Sequence, residues 1–426
     1  MKIAYSHLKA FFKEQPSIEE VSEKLFQLGH ENEIHNNILD VEFTPNRGDC
    51  LSLLGLARDL GVFYTLDAPI SYYTQNLEAL DLNFKNHSPD DCPSISFLSI
   101  DIDEVPDKYE DYLESYFTTF DINKNNFFAD ISNYISYEMG QPTHCYDRPS
   151  IEGDIEFTSD DFNEKFETLL GKEIILSGKN CVFKSNSKVI NLAGVMGGNS
   201  TACNENTKNV LIECAYFKPE SIIGKALKYN LHSDASHKFE RGVNPSSQEQ
   251  TLRRFIEIVS DHANIKNIKY SSFISKKIQK KSLKFDSQKI KNIIGTDLSN
   301  EVYKNSISKI GFLIDDNQIT IPQYRHDIAH QNDLAEEMAR IIGYDNIEPT
   351  TFKIDKTQTI TNSNNETSLR YFMASKGFNE VINMPFTSEN TNSIKIDNPL
   401  DSKKAFIRTT LKNSLIENLL YNEKRH

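Results

Sequence analysis

The residues whose types and spacing could do chemistry fall into two groups. The first centres on Glu213, the one carboxylate in the nearly continuous apolar run 209–217. On a strand, successive side chains alternate between faces. Val210, Ile212, Cys214 and Tyr216 would share one face, and Leu211, Glu213, Ala215 and Phe217 the other. Both faces are apolar, as in a strand covered on both sides. A carboxylate buried there is costly unless something satisfies it. That something is either a built-in partner or a ligand, and the residues alone leave both readings open. The glycine-rich turn at 194–198, GVMGG, lies upstream and lets backbone come close to whatever Glu213 faces. Downstream, Ser233 and Asp234 open a short helical segment that Gly242 ends. His144 follows the turn Gln141-Pro142. A lone histidine in such a place more often serves packing than chemistry.

The second group is acidic. Asp327 sits just past the strand-like segment IPQYRH, and Asp333 opens a helix on which Glu336 and Glu337 follow at i+3 and i+4. That spacing projects the last three from one face. Four carboxylates converging through a strand, loop and helix suit a hard cation such as Mg²⁺, which prefers oxygen ligands. The competing reading is an acidic first helical turn favoured by the helix dipole.

The elements that must position these groups make an α+β multidomain chain. Residues 1–82 read as a small N-terminal α/β module. Ser17-Ile18-Glu19-Glu20 is a capping-box pattern, and Ile18, Val21, Leu25 and Leu28 recur at helical spacing. A short strand at 38–43 and the turn TPNRGD follow, with Asp49 expected to cap a helix over 50–60. Residues 83–275 read as a mixed α/β domain, with strands at 95–102 and 174–176 and a helical run ending at Gly140. KKIQKK at 276–281 reads as a solvated linker. Residues 282–350 read as a small helix-plus-hairpin domain. Helices at 287–294 and 300–310 stop at Gly295 and Gly311, and a hairpin turns at Asp316-Asn317. Residues 352–366 read as a linker. The stretch 367–426 begins a further module, with a helix at 369–376, a strand at 380–385 and a last helix reaching Tyr421.

Composition narrows the class. Hydrophobic residues are 38% and charged residues 25% of the 426, which suits a soluble globular protein. The net charge of −14 carries no generic footprint for nucleic acid, so such a role needs a local patch or a basic partner; DNA is not expected. The six cysteines form no CxxC pair and read as reduced thiols of the cytoplasm. No stretch reads as a signal peptide or as a membrane span.

Five phrases carry a resemblance: TPNRGDCLSLLGLARDL, GQPTHCYD, NLAGVMGG with NVLIE, LHSDASHKFERGV, and RHDIAHQNDLAEEMARIIGYDNI. Together and in this order, they resemble the bacterial phenylalanyl-tRNA synthetase beta subunit family over nearly the whole chain. The resemblance implies that 83–275 is an editing domain, that 282–350 binds Mg²⁺, and that 367–426 begins a class II synthetase-like module. It implies that an oligonucleotide-binding barrel usual between the first helix and the 38–43 strand is missing, since only 29–37 separate them. It implies an alpha subunit that uses ATP to attach phenylalanine to tRNA(Phe), in a heterotetramer of two alpha and two beta chains. Hydrolysis of mischarged Tyr-tRNA(Phe) would fall to this chain. Carried over residue by residue, Ser132, Asn133, His144 and Glu213 are the catalytic set. Gly197, Ser233 and Ala235 are the substrate-binding set, and Asp327, Asp333, Glu336 and Glu337 are the metal set. His144 would orient the terminal ribose or a hydrolytic water. No Ser-His-Asp or Cys-His arrangement is evident, so water is the expected nucleophile, ahead of Cys145. His326 stands where the family usually has an apolar aromatic residue. Two rivals to the synthetase reading are a free-standing aminoacyl-tRNA hydrolase and a non-catalytic scaffold with a dead pocket.

Overall fold

The computed structural model describes every residue except 297–298, 316, 350, 352–364, 389–391 and 426. The chain divides into a unit spanning Met1–Pro349 and a smaller one spanning Thr350–His426. The stretches 1–82 and 83–275, and 282–350 up to Pro349, therefore pack into one body. The reason is a shared core: Leu56, Ile135, Ile212 and Leu334 all belong to one buried apolar cluster.

At the centre lies a five-stranded sheet in the order Glu78–Ala79, Ile265–Ile274, Ser94–Ile102, Asn209–Tyr216 and His144–Asp147. All neighbours are antiparallel except the first pair. The Asn209–Tyr216 strand separates two cores. Val210, Ile212 and Cys214 join the helix side, which includes Ile131 and Ile135 of the helix Phe127–Met139 and Phe255 of the helix Gln248–His262. Leu211, Ala215 and Phe217 join a second cluster with Phe157, Phe183 and Leu192. The expected two-sided burial is present, and each large side chain so buried is worth roughly 1.5–3 kcal/mol. A second sheet backs that cluster. It runs Met196–Gly197, Lys188–Leu192, Glu173–Ser185, Ile155–Glu167 and Phe84–Asn86, and its two long strands form a thirteen-residue-per-arm hairpin.

Several local expectations are corrected. The helix after TPNRGD is a 3-10 turn, Gly48–Cys50, followed by an α-helix at Leu53–Leu60. Its cap is Ser52, whose Oγ accepts from the Gly55 amide at 2.9 Å, not Asp49. Asp49 is drawn into ion pairs with Arg47 and Arg58, both at 2.9 Å, because a buried charge outbids a helix cap. The stretch 29–37 holds a strand, Glu31–His35, paired antiparallel with Ile38–Glu42. No strand forms at 321–326; the sheet of that region ends at Thr320. His326 takes the place of an aromatic packing residue: its ring stacks on Tyr216 at 6.3 Å between centroids, and Nε2 lies 2.9 Å from the Val243 carbonyl.

In the Thr350–His426 unit, the helices Asn365–Ser375 and Lys412–Glu423 bury none of their described residues. The strand expected at 380–385 is instead a two-residue strand, Phe386–Thr387, paired with Phe406–Ile407. Most of the 352–366 linker lies outside the described residues. No described helix is long and apolar enough to cross a membrane.

Candidate active site

Two strands bring the first chemical group together. In the antiparallel register between Asn209–Tyr216 and His144–Asp147, Glu213 lies directly opposite His144. Both line a cavity of about 540 Å³. The carboxyl of Glu213 is buried, and among the described residues it has no cationic partner. Tyr146 donates its hydroxyl to Glu213 Oε2 at 2.6 Å, and Asn191 donates to the same oxygen at 3.2 Å. Burial pushes this carboxyl up to about 8, although the two hydrogen bonds pull the other way. It is therefore mostly neutral at pH 7. His144 is also neutral, because burial lowers its imidazole to about 4. Its Nε2 is buried and has no hydrogen-bond partner among the described residues. Its ring stands edge-on to Tyr146 at 4.4 Å.

The loop before His144 is fixed at two points. Gln141 is fully buried; it donates to the Ala215 carbonyl at 3.0 Å and accepts from Ser247 at 2.9 Å. Ser132 bonds the carbonyl and the hydroxyl of Thr143 at 2.7 and 2.8 Å. The Ser132 hydroxyl thus shapes the loop, while the neighbouring Asn133 is exposed at the cavity wall.

The opposite wall is the glycine turn and the helix Asp234–Arg241. Ser233 caps that helix through the Ser236 amide at 3.1 Å and donates to the Val195 carbonyl at 2.8 Å, which ties helix to turn. Lys238, buried, reaches Asp234 at 2.7 Å and the Ser136 carbonyl at 2.7 Å, which ties the same helix to Phe127–Met139. Ala235 and Gly197 face the cavity. A Cβ on Gly197 would stand 2.2 Å from Cε1 of His144, so only glycine leaves room for the ring. All seven residues expected of this pocket line it. Sequence reasoning missed Tyr146 and Asn191. The signal was there: Tyr146 is two residues from His144, hence on its face, and Asn191 is the one polar residue in VINLAGV. Chemically, the cavity offers a neutral carboxyl and a neutral imidazole side by side, with Glu213 held by one oxygen only.

The acidic group is built differently from its expectation. Glu337 is buried between Arg325, at 2.6 Å, and Arg340. Burial would raise its carboxyl, but the two guanidiniums outweigh that and hold it at about 2. Asp327 is gripped by Arg325 at 2.9 and 2.8 Å. Asp333 accepts the Ala329 and His330 amides at 2.7 and 2.8 Å, as a helix-capping carboxylate does. Glu336 is exposed. No three of these four lie within 4.8 Å of one another. Arginines hold the carboxylates of Asp327 and Glu337, backbone amides hold Asp333, and Glu336 is exposed, so the four are not gathered around one point in this arrangement. The described donors that do cluster are His30, Cys50 and Asp59, and there Arg47 and Arg340 already hold Asp59.

Comparisons with known proteins follow the chain in three parts. A B3/4 domain model matches residues 107–264, a tRNA synthetase B5 domain model matches 283–344, and a phenylalanyl tRNA synthetase beta chain CLM domain model matches 347–426. The phenylalanine–tRNA ligase beta subunit of Idiomarina loihiensis is 27% identical over 415 residues, covering 92% of this chain and 52% of that one. That of Pseudoalteromonas translucida is 28% identical over 418 residues, with the same coverage. The chain thus spans about half the length of the curated relatives it matches. An N-terminal fragment of the phenylalanyl-tRNA synthetase beta subunit from Pyrococcus horikoshii aligns with a TM-score of 0.43 and 14% identity, over 80% of this chain and 99% of that one.

Proposed function

The chain belongs to the phenylalanyl-tRNA synthetase beta family, and from that premise we propose that it supports the charging of tRNA(Phe) and clears Tyr-tRNA(Phe) in the Glu213 cavity. ATP and phenylalanine would be handled by an alpha subunit, with this chain as its structural and editing partner. Phenylalanine and tyrosine differ by one hydroxyl. An apolar synthetic pocket rejects an added hydroxyl only weakly, whereas a site that hydrogen-bonds it discriminates far better.

The observation that carries this reading is the cross-strand pair: Glu213, hydrogen-bonded on one oxygen, beside the unpartnered Nε2 of His144. Glu213 would bond the tyrosine phenol. Neutral His144 would accept a hydrogen bond from a water that attacks the ester carbonyl. The carbon–oxygen bond to the terminal ribose then breaks, and the ribose oxygen takes up a proton. Gly197 and Ala235 would leave room for the ring, Ser132 and Ser233 would hold the two walls, and Asn133 would meet the nucleoside. No step runs through a metal. A partner chain is supported by the Thr350–His426 unit, where Ile382 and Leu400 are fully exposed and Phe372 and Leu419 more than half exposed. Such side chains are what a partner surface would cover.

The test is deacylation of Tyr-tRNA(Phe) with and without the alpha subunit. Activity only in the assembly supports the proposal. Activity of this chain alone would favour a free-standing hydrolase, and none in either case would leave a scaffold. Glu213→Ala is expected to lower kcat/KM for Tyr-tRNA(Phe) by roughly 10–100-fold, the worth of one buried hydrogen bond. Charging with phenylalanine should be untouched.

A further inference from the structure

Glu213 is held in an unusual way. Its two donors, Tyr146 and Asn191, converge on the same oxygen, Oε2. Asn191 also donates to the Tyr146 hydroxyl at 2.9 Å, so the three side chains close a small buried ring of hydrogen bonds. Tyr146 is fully buried and Asn191 is 4% exposed. They come from different strands, His144–Asp147 and Lys188–Leu192, so the ring pins the Glu213 strand to its neighbour in the central sheet and to the second sheet. Among the described residues, no donor reaches Oε1.

From this geometry we infer that Tyr146 and Asn191 form a clamp that sets the specificity of the site: by holding Oε2, they turn Oε1 and its proton into the cavity, where Glu213 donates to the oxygen of a para-hydroxyl. The inference deepens the proposed editing function and rests on that reading for its biological role. An oxygen that already accepts two hydrogen bonds is the poorer seat for the acid proton, which leaves Oε1 to carry it. The surroundings favour the neutral acid. The ionisable groups around Glu213 are His144, Tyr146 and the thiols of Cys92, Cys145 and Cys214. Burial lowers the imidazole and raises the phenol and thiols, so none is charged at neutral pH and none compensates a carboxylate. Tyr146 is then a positioning residue. It touches Glu213, not the substrate, and removing its hydroxyl frees the carboxyl to turn away from the cavity.

The clamp makes a distinctive forecast for Glu213→Gln. With two donors fixed on one oxygen, the glutamine carbonyl must take that place, which turns its NH₂ into the cavity as a donor. The amide should therefore replace the acid. The probe is 3′-deoxy-3′-(L-tyrosylamino)adenosine, compared with its phenylalanyl counterpart, titrated onto the full chain by calorimetry. Wild type and Glu213→Gln are expected to prefer the tyrosyl compound, and Tyr146→Phe to lose that preference by about tenfold while still binding the phenylalanyl compound. A role of Tyr146 in folding alone would weaken both compounds equally, and that result would overturn the inference. So would a Tyr146→Phe chain that keeps the preference, a Glu213→Gln chain that loses it, or a wild type with none. A wild type that prefers the tyrosyl compound yet never hydrolyses Tyr-tRNA(Phe), with or without the alpha subunit, would sink the editing reading and leave the clamp standing.

Discussion

Replacing Asp59 with alanine is expected to cost about 3–5 kcal/mol of folding stability, the loss typical when one partner of a buried ion pair is removed. Asp59 is 2% exposed and serves three groups. Arg340 reaches it with two bonds of 2.8 Å, Arg47 with two of 3.0 and 3.3 Å, and His30 Nε2 lies 2.9 Å away. Both guanidiniums are buried and stay charged at any accessible pH. Without Asp59, Arg47 keeps Asp49 and Arg340 keeps Glu337, but those two carboxylates are shared with Arg58 and Arg325, so the buried cluster is left with one positive charge unbalanced. Urea denaturation of the full chain measures the effect, and a loss below about 1 kcal/mol would contradict the account. Total stability of a domain is only about 5–15 kcal/mol, so the variant stands close to unfolding.

The same lattice sets an acid limit. Burial would raise Asp59, but Arg340 and Arg47 outweigh it and hold the carboxyl well below its usual range. Glu337 is held at about 2 against an ordinary 4.5. A carboxylate with a depressed value contributes stability that is fully present above its unfolded value and is lost as pH falls through the folded one. Stability should hold above about pH 5 and decline toward pH 2.

The second large effect is expected at Gly197. Its absent Cβ would meet Cε1 of His144 at 2.2 Å, Nε2 at 2.8 Å and Cδ1 of Leu169 at 2.8 Å. Leu169 can move, since it sits at a hairpin tip and is 40% exposed. His144 cannot move cheaply: its ring is packed on Tyr146, and its backbone is paired with Glu213. Gly197→Ala should therefore displace the imidazole by about an ångström, and misplacement on that scale costs roughly 10²-fold in rate. Tyr-tRNA(Phe) hydrolysis by the assembled enzyme, compared with wild type, reads this out. Thermal stability should change far less, because the atoms that clash border a cavity. A Gly197→Ala enzyme of wild-type hydrolytic rate would remove His144 from the mechanism.

Some of this molecule was legible in the residues alone. The apolar alternation around Glu213 reports two-sided burial, because burial follows local composition and a strand's period is two. Ser17 with Glu20, Ser233, Gly140 and Gly295 mark helix ends, because capping involves only near neighbours. Glu213 stands out from its apolar neighbours alone, and His144 and Gly197 through the resemblance of their phrases. Other features depended on partners far along the chain. Asp49 had the local credentials of a cap, yet arginines took it, since a buried charge gains more from an opposite charge than from an amide. Asp327 and Glu337 read as metal ligands in the sequence, and the fold places Arg325 and Arg340 against them. Arg340 reaches Asp59 across 281 residues of sequence, and nothing local announces that meeting. The meeting of Tyr146, Asn191 and Glu213 is of the same kind. Side-chain periodicity is a property of neighbours in sequence, and ion pairing is a property of neighbours in space. The sequence thus determined which residues are buried, and only the tertiary structure decided what each buried polar group holds.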